Sequence, residues 1–214
     1  MKLYGYFRSS ASFRVRIGLN LKNIAYDLEP IHLLRDGGEQ YSDQFAAVNP
    51  QRLVPVLADG EHLLTQSLAI LEYLDESHPS PPFLPAAAKG RARVRALAQI
   101  IACDIHPLDN LRVLKYLTKE LEVGEEDRAV WYRHWIALGL GAMEDMMAGD
   151  AMTGEFCHGD SPTLADICLV PQIFNARRFD TELDGYPTVM RIFDTCMALD
   201  AFDRAQPENQ PDAQ

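Results

Sequence analysis

Apolar positions change their spacing along this chain, and the change divides it in two. Residues 2–7 make a short strand-like run that ends at the polar triplet Arg8-Ser9-Ser10. Beyond it, Phe13, Val15, Ile17, Leu19 and Leu21 alternate with polar residues or glycine, the pattern of a half-buried strand. The same residues also suit a helix. Phe13, Ile17 and Leu21 then share one face while Val15 and Leu19 fall nearly opposite, so such a helix must be covered on two sides. Periodicity supports both readings. Residues 24–31 read as a second strand, and 53–57 and 63–65 as two more around the hairpin signal Asp59-Gly60. Pro55 lies within the first of that pair, where its missing N–H calls for an edge, a bulge or a cis bond. Ser67 precedes Leu68, Ile70, Leu71 and Leu74, as an N-cap ahead of an apolar helical face.

Residues 78–86 (HPSPPFLPA) hold four prolines and cannot sustain a regular helix, which marks a linker. Two domains are predicted, 1–80 and 88–214. Downstream the spacing is helical throughout. Val94, Leu97, Ile101 and Ile105 share a face, residues 108–117 continue the theme, and 130–147 form an amphipathic helix containing Trp131 and Trp135. Residues 164–174 are apolar nearly all round, as in a buried helix. Ahead of them, Thr163 and Asp166 have capping-box spacing, with Pro162 and Ile167 placed for a hydrophobic staple; this group reads as structural. Residues 205–214 read as a tail. The predicted fold is an α/β N-terminal domain followed by an all-α helical domain.

Charge narrows the partners. With 31 acidic against 20 basic residues the net charge is -11, a field that repels phosphate backbones and anionic membranes, so neither nucleic acid nor a membrane is expected as a partner. An anionic substrate would need arginines gathered locally. Cys103, Cys157, Cys168 and Cys196 make neither a CxxC pair nor metal-ligand spacing, which points to free thiols in a reducing compartment and to no metal. The opening MKLYGYFRSS has no hydrophobic signal core, and no apolar run approaches the ~20 residues of a membrane span, so a cytoplasmic location is expected.

Several polar groups could carry chemistry. If a helix starts just after Arg8-Ser9-Ser10, its first N–H groups face outward, and a serine there either caps the helix or steadies an anion such as a thiolate. A cis proline at Val54-Pro55, near Asn49-Pro50-Gln51, would turn backbone groups outward for an extended peptide. Gln66-Ser67 opens a helix, either as a plain cap or as a carboxylate site. Asp104, His106, Asn110 and Arg112 are polar positions in an otherwise apolar helix that Pro107 should kink. They form either an exposed stripe or one wall of a site. Arg177-Arg178 follows the buried helix as a basic pair.

The segments RSSASFRVRIGLNLK, NPQRLVPVL, TQSLAILEYL, CDIHPLDNLRVL and GDSPTLADICLVPQ, in that order, resemble the zeta class of glutathione transferases over residues 1 to about 210. The resemblance implies a thioredoxin-like N-terminal domain, an all-α C-terminal domain, a homodimer, and a helix over residues 13–22. It implies glutathione as cofactor and a maleyl diacid, maleylacetoacetate or maleylpyruvate, isomerised from cis to trans, with general glutathione conjugation as the alternative. By the same resemblance Ser9 steadies the glutathione thiolate, with Ser10 and Arg8 beside it as catalytic residues. Gln51, the backbone of Val54, Gln66, Ser67, Asp104, His106 and Asn110 contribute to glutathione binding, and Arg8, Arg112 and Arg178 take substrate carboxylates. One position departs from the pattern: Ala11 stands where the class signature has a cysteine, so a protein thiol at that place plays no part.

Overall fold

Four short strands make one sheet in the order β2-β1-β3-β4: Lys2–Gly5 (β1), Asp27–Pro30 (β2), Val56–Asp59 (β3) and His62–Thr65 (β4). β1 runs parallel to β2 and antiparallel to β3. A parallel neighbour requires a crossover. That crossover is the helix Ser10–Leu21 (α1), built from the residues whose alternation also suited a strand. Their alternation loses its meaning because α1 is enclosed on almost every side: Phe13, Val15, Ile17 and Leu19 are buried, and so are Arg14 and Arg16 between them. The helix packs against Ser67–Ser77 (α3) and against the short helix Asp200–Asp203 (α10). At Gly18 a side chain would collide with Leu71 of α3, so the close approach of the two helices needs glycine.

The computed structural model describes residues 1–213. They fall into two compact units, Met1–Phe83 together with the chain from Ala198 onward, and Leu84–Met197. The predicted boundary of the second domain therefore shifts: residues expected to form a tail return to the first unit. Phe202 and Ala205 are buried there, and Asn20 of α1 donates to the carbonyl of Ala201 at 2.9 Å. Within this unit a short helix, Asp43–Val48 (α2), precedes the turn that leads to β3. The β3–β4 hairpin closes at the pair Asp59↔His62, with Gly60 in the left-handed conformation the tight turn demands (φ +58°). Of the three readings of Pro55 the cis bond is realised, and the residue sits just ahead of β3, so the strand loses no ladder N–H. A second cis bond, Ser80–Pro81, lies in the linker. The linker is anchored at Phe83, whose N–H donates to Asp75 (2.8 Å), the carboxylate that also pairs with buried Lys22 (2.7 Å).

The second unit consists of Ala88–Gln99 (α4), His106–Asp109 (α5), Leu111–Lys119 (α6), Glu125–Met147 (α7), Leu164–Arg178 (α8) and Pro187–Met197 (α9). Val94, Leu97, Ile101 and Ile105 are buried along one line, as their spacing predicts. The expected kink at Pro107 takes another form. The chain widens into a π-helical turn over Ile100–Ile105, upstream of the proline. Proline lacks an N–H and clashes with the carbonyl four residues back, and a widened turn relieves that conflict. The break itself comes at Asn110, which is extended (φ -76°, ψ 158°) and whose side chain caps α6 by accepting from the N–H groups of Arg112 (3.1 Å) and Val113 (3.2 Å). α8 is the buried helix read from the sequence. Leu164, Ile167, Leu169, Val170 and Ile173 are enclosed, each worth roughly 1.5–3 kcal/mol of burial, so the unit is organised around it. Its capping box is formed, with Asp166 accepting from the N–H and the hydroxyl of Thr163 (both 2.7 Å) and from Cys157 N–H (2.8 Å). Arg177 and Arg178, read as following this helix, belong to its last turn. Among the described residues no helix is long and apolar enough to cross a membrane.

Candidate active site

In the first unit the chain leaves β1, turns through residues 6–9 and enters α1. Ser9 is the N-cap of that helix: its backbone is extended (φ -72°, ψ 117°) and its Oγ accepts from Ser12 N–H at 3.2 Å. This bond uses a lone pair of the oxygen and leaves the hydroxyl hydrogen to be donated outward. The two readings of Ser9, cap and anion donor, are therefore compatible. The first turn of α1 contains no acidic residue, so nothing inside the helix offsets the positive end of its dipole. Ser10 is buried in that first turn and Ala11 follows it. Arg8 is exposed and leans on its own loop, with Nη2 and Nε on the Tyr6 hydroxyl (2.9 and 3.3 Å) and the guanidinium 4.9 Å from the Phe7 ring centre.

A second cluster lies at the start of α3. Buried Asn49 shapes the turn before β3, donating to Leu53 O (2.8 Å) and accepting from Gln51 N–H (3.0 Å). Gln51 in turn accepts from Nε2 of Gln66 at 2.9 Å, so two of the predicted glutathione residues meet directly. Val54 belongs to the same turn, at the cis bond. The cap position of α3 falls on Gln66, one residue earlier than predicted, and its side chain makes no capping bond. Gln66 has φ +66°, a strained conformation for any residue but glycine and one that concentrates at functional sites. Ser67 is the first helical residue; it is buried, and its Oγ accepts from Arg14 of α1 at 3.4 Å. The start of α3 thus has neither a capping side chain nor an acid in its first turn.

The remaining candidates belong to the second unit. Asp104 is exposed on the π-helical turn, His106 opens α5 half-buried, Asn110 caps α6, and Arg112 is exposed in the first turn of α6. Arg178 ends α8 in an exposed position, its guanidinium 4.9 Å from the Phe179 ring centre. Tyr132 of α7 is buried and stacks on Phe179 at 3.6 Å between ring centres. Burial holds its phenol well above the ordinary range, Arg178 opposing the shift and Asp109 adding to it.

Sequence reasoning missed Asp109. It lies in the same polar run as Asp104, His106 and Asn110, yet it is the one whose carboxyl is buried with neither oxygen hydrogen-bonded. Burial pushes it up to about 8, so the group carries a proton at neutral pH. Burial also raises the thiols of Cys157 and Cys196, which leaves them unreactive, while Cys103 is exposed. Among the described residues no group of three or more His, Cys, Asp or Glu could hold a metal ion.

A thioredoxin-like sheet carrying a serine-capped, acid-free crossover helix, in a chain that continues as an all-helical unit, defines the glutathione transferase architecture. The family profile for the glutathione S-transferase N-terminal domain matches residues 3–82, and that for the C-terminal domain matches 140–200. The chain is 52% identical over 211 residues to a probable maleylacetoacetate isomerase of Vibrio cholerae, covering 99% of this chain and 97% of the relative. Among solved structures, a maleyl pyruvate isomerase, described as a bacterial glutathione S-transferase of the zeta class, superposes with a TM-score of 0.97 at 48% identity over all of both chains. A maleylacetoacetate isomerase from Methylobacterium extorquens AM1, solved with bound malonate and glutathione, gives a TM-score of 0.96 at 44% identity, again over all of both chains. The chain belongs to the glutathione S-transferase family, in its zeta class.

Proposed function

We propose that this chain is a glutathione-dependent cis–trans isomerase that converts a maleyl diacid, 4-maleylacetoacetate, into its fumaryl isomer during the breakdown of aromatic amino acids. The observation that carries the reading is the start of α1, where a serine hydroxyl stands at the positive end of a helix without any internal acid, suited to an external sulfur anion. The full-length relationship to maleylacetoacetate isomerases supports it. Maleylpyruvate, the substrate in gentisate degradation, is a second reading, favoured by the full-length likeness to the maleyl pyruvate isomerase. The working form is taken to be a cytoplasmic homodimer.

Glutathione, when bound, supplies a nucleophilic thiolate that is returned unchanged at the end of each turnover. Ser9 donates its hydroxyl hydrogen to the sulfur and, with the start of α1 and Ser10, keeps the thiol acidic. Gln51, the Val54 backbone, Gln66 and Ser67 hold the peptide, and the uncapped start of α3 suits its glutamyl carboxylate. Asp104, His106 and Asn110 are assigned to the same ligand. Arg8, Arg112 and Arg178 take the carboxylates of the diacid, a geometry that planar guanidinium groups fit better than ammonium does. Ala11 leaves glutathione as the source of the reacting sulfur at this helix start.

Each cis diacid is incubated with the protein, with and without glutathione, while substrate loss and total thiol are followed. Loss that requires glutathione at constant thiol supports isomerisation. A matching fall in thiol identifies a conjugating transferase instead, and no loss removes the reading. Arg178→Ala is expected to raise KM for the diacid by about 10- to 100-fold, with glutathione affinity nearly unchanged. An unaltered KM takes Arg178 out of the clamp.

A further inference from the structure

Behind the loop that carries Arg8 and Ser9 lies a layer of contacts to which no role has been assigned. β1 ends at Gly5 and α1 begins at Ser10, so neither ladder supplies a partner for the N–H of Phe7. Its partner is Asp212, 205 positions later, whose Oδ2 accepts at 3.0 Å. The carbonyls of the same loop are held by Arg16, fully buried in α1. Its Nη2 donates to Phe7 O (2.9 Å), Nη1 to Tyr6 O (3.5 Å) and Nε to Ala205 O (2.9 Å). Ser9 N–H closes the turn onto Tyr6 O (2.9 Å). Asp212 and Arg16 attract each other as well. The segment that presents Asp212 is itself fixed: Phe202, Ala205 and Pro207 are buried, and Gln210 donates to the carbonyls of Gln206 (2.7 Å) and Arg204 (2.9 Å).

We propose that Asp212 is a positioning residue, which fixes the Phe7–Ser9 backbone through the Phe7 N–H and so sets where the Ser9 hydroxyl and the Arg8 guanidinium can reach. The proposal rests on Ser9 being the group that steadies the glutathione sulfur. A displacement of ~1 Å at such a group costs on the order of 100-fold in rate, so a rigid hold on a loop outside both ladders has a catalytic consequence. The returning segment is then part of the machinery of the first unit.

The test compares the unsubstituted protein with Asp212→Ala and Asp212→Asn. It reads backbone hydrogen exchange at Phe7, the acidity of the bound glutathione thiol, and kcat and KM. Asp212→Ala should speed Phe7 exchange by about 10- to 100-fold, the worth of one charge-assisted hydrogen bond. It should also make the bound thiol less acidic and lower kcat, while KM for glutathione stays within about twofold because the Gln51–Gln66 contact is untouched. Asp212→Asn keeps an oxygen that can accept from Phe7 and should restore all three. Unchanged Phe7 exchange in Asp212→Ala overturns the proposal. So does faster exchange with thiol acidity and kcat unmoved, and so does a general loss of stability that Asp212→Asn shares. If the unsubstituted protein binds no glutathione, the reading of Ser9 falls and its positioning with it, while Phe7 exchange still reports whether Asp212 holds the loop.

Discussion

Two helices of the first unit, α1 and α3, begin in the opposite way to α8 and α9 of the second. In the second unit, α8 and α9 are closed from within by buried carboxylates. Asp166 takes the Thr163 and Cys157 amides, and Glu144 of α7 takes the N–H groups of Thr188 and Val189 at 3.0 and 2.9 Å. In the first unit, α1 has only the Ser9 hydroxyl and α3 has no capping side chain, and neither carries an acid in its first turn. A helix start needs negative charge or acceptors from somewhere. Where the protein provides them, the start is a structural joint; where it does not, an outside anion can. The difference between α1 and α8 comes down to one position, the third residue of the helix, which is Ser12 in one and Asp166 in the other.

The largest expected effect is at a closed start. Asp166→Ala strands two buried N–H groups and a hydroxyl, which should cost about 3–5 kcal/mol and lower the unfolding midpoint by roughly 10 °C. The kcat of the protein that remains folded should hardly change. Calorimetry beside single-turnover kinetics checks both, and a large fall in kcat without lost stability would break the contrast. At the open start the balance reverses. Ser9→Ala should cost about 1 kcal/mol of stability as a lost cap. It should lower kcat by about 100-fold and raise the pKa of bound glutathione, as removal of an anion donor does. Titration of thiolate absorbance decides, and an unshifted curve would make Ser9 a joint like Thr163.

Much of this contrast was legible in the sequence. The capping box declared itself by spacing, the linker by its prolines, and the buried helix by apolar residues on all sides. What escaped was set by contacts between distant residues. α1 resembled a strand because its enclosure, with Arg14 and Arg16 inside, erases the helical period. The cap of α3 moved by one residue because Gln66 takes a positive φ, which side-chain identity does not announce. The returning segment has no apolar pattern, and its hold on Phe7 spans 205 positions. The proline expected to kink its helix displaced the distortion upstream, and the break fell to Asn110.

Asp109 sharpens the comparison through its dependence on pH. It is an acid of the same unit as Asp166, also buried, but it receives none of the donors that Asp166 receives. Burial raises the pKa of both carboxyls, but the donors oppose the rise at Asp166, while at Asp109 nothing opposes it and the value reaches about 8 from an ordinary 3.8. The folded protein then keeps a proton that the unfolded chain releases. This contribution to stability is complete below about pH 4 and is lost as the pH climbs toward 8. Asn is neutral throughout and nearly the same shape, so Asp109→Asn should remove that slope. Its unfolding midpoint should rise relative to the parent between pH 5 and pH 8.5 by roughly 10 °C, from about 1.4 kcal/mol per pH unit below the folded pKa and ~2–4 °C per kcal/mol for a chain of this size. A difference that stays flat across that range would mean that Asp109 is ionised in the folded state. The buried carboxyl would then have found donors of its own, and the distinction drawn between it and Asp166 would fail.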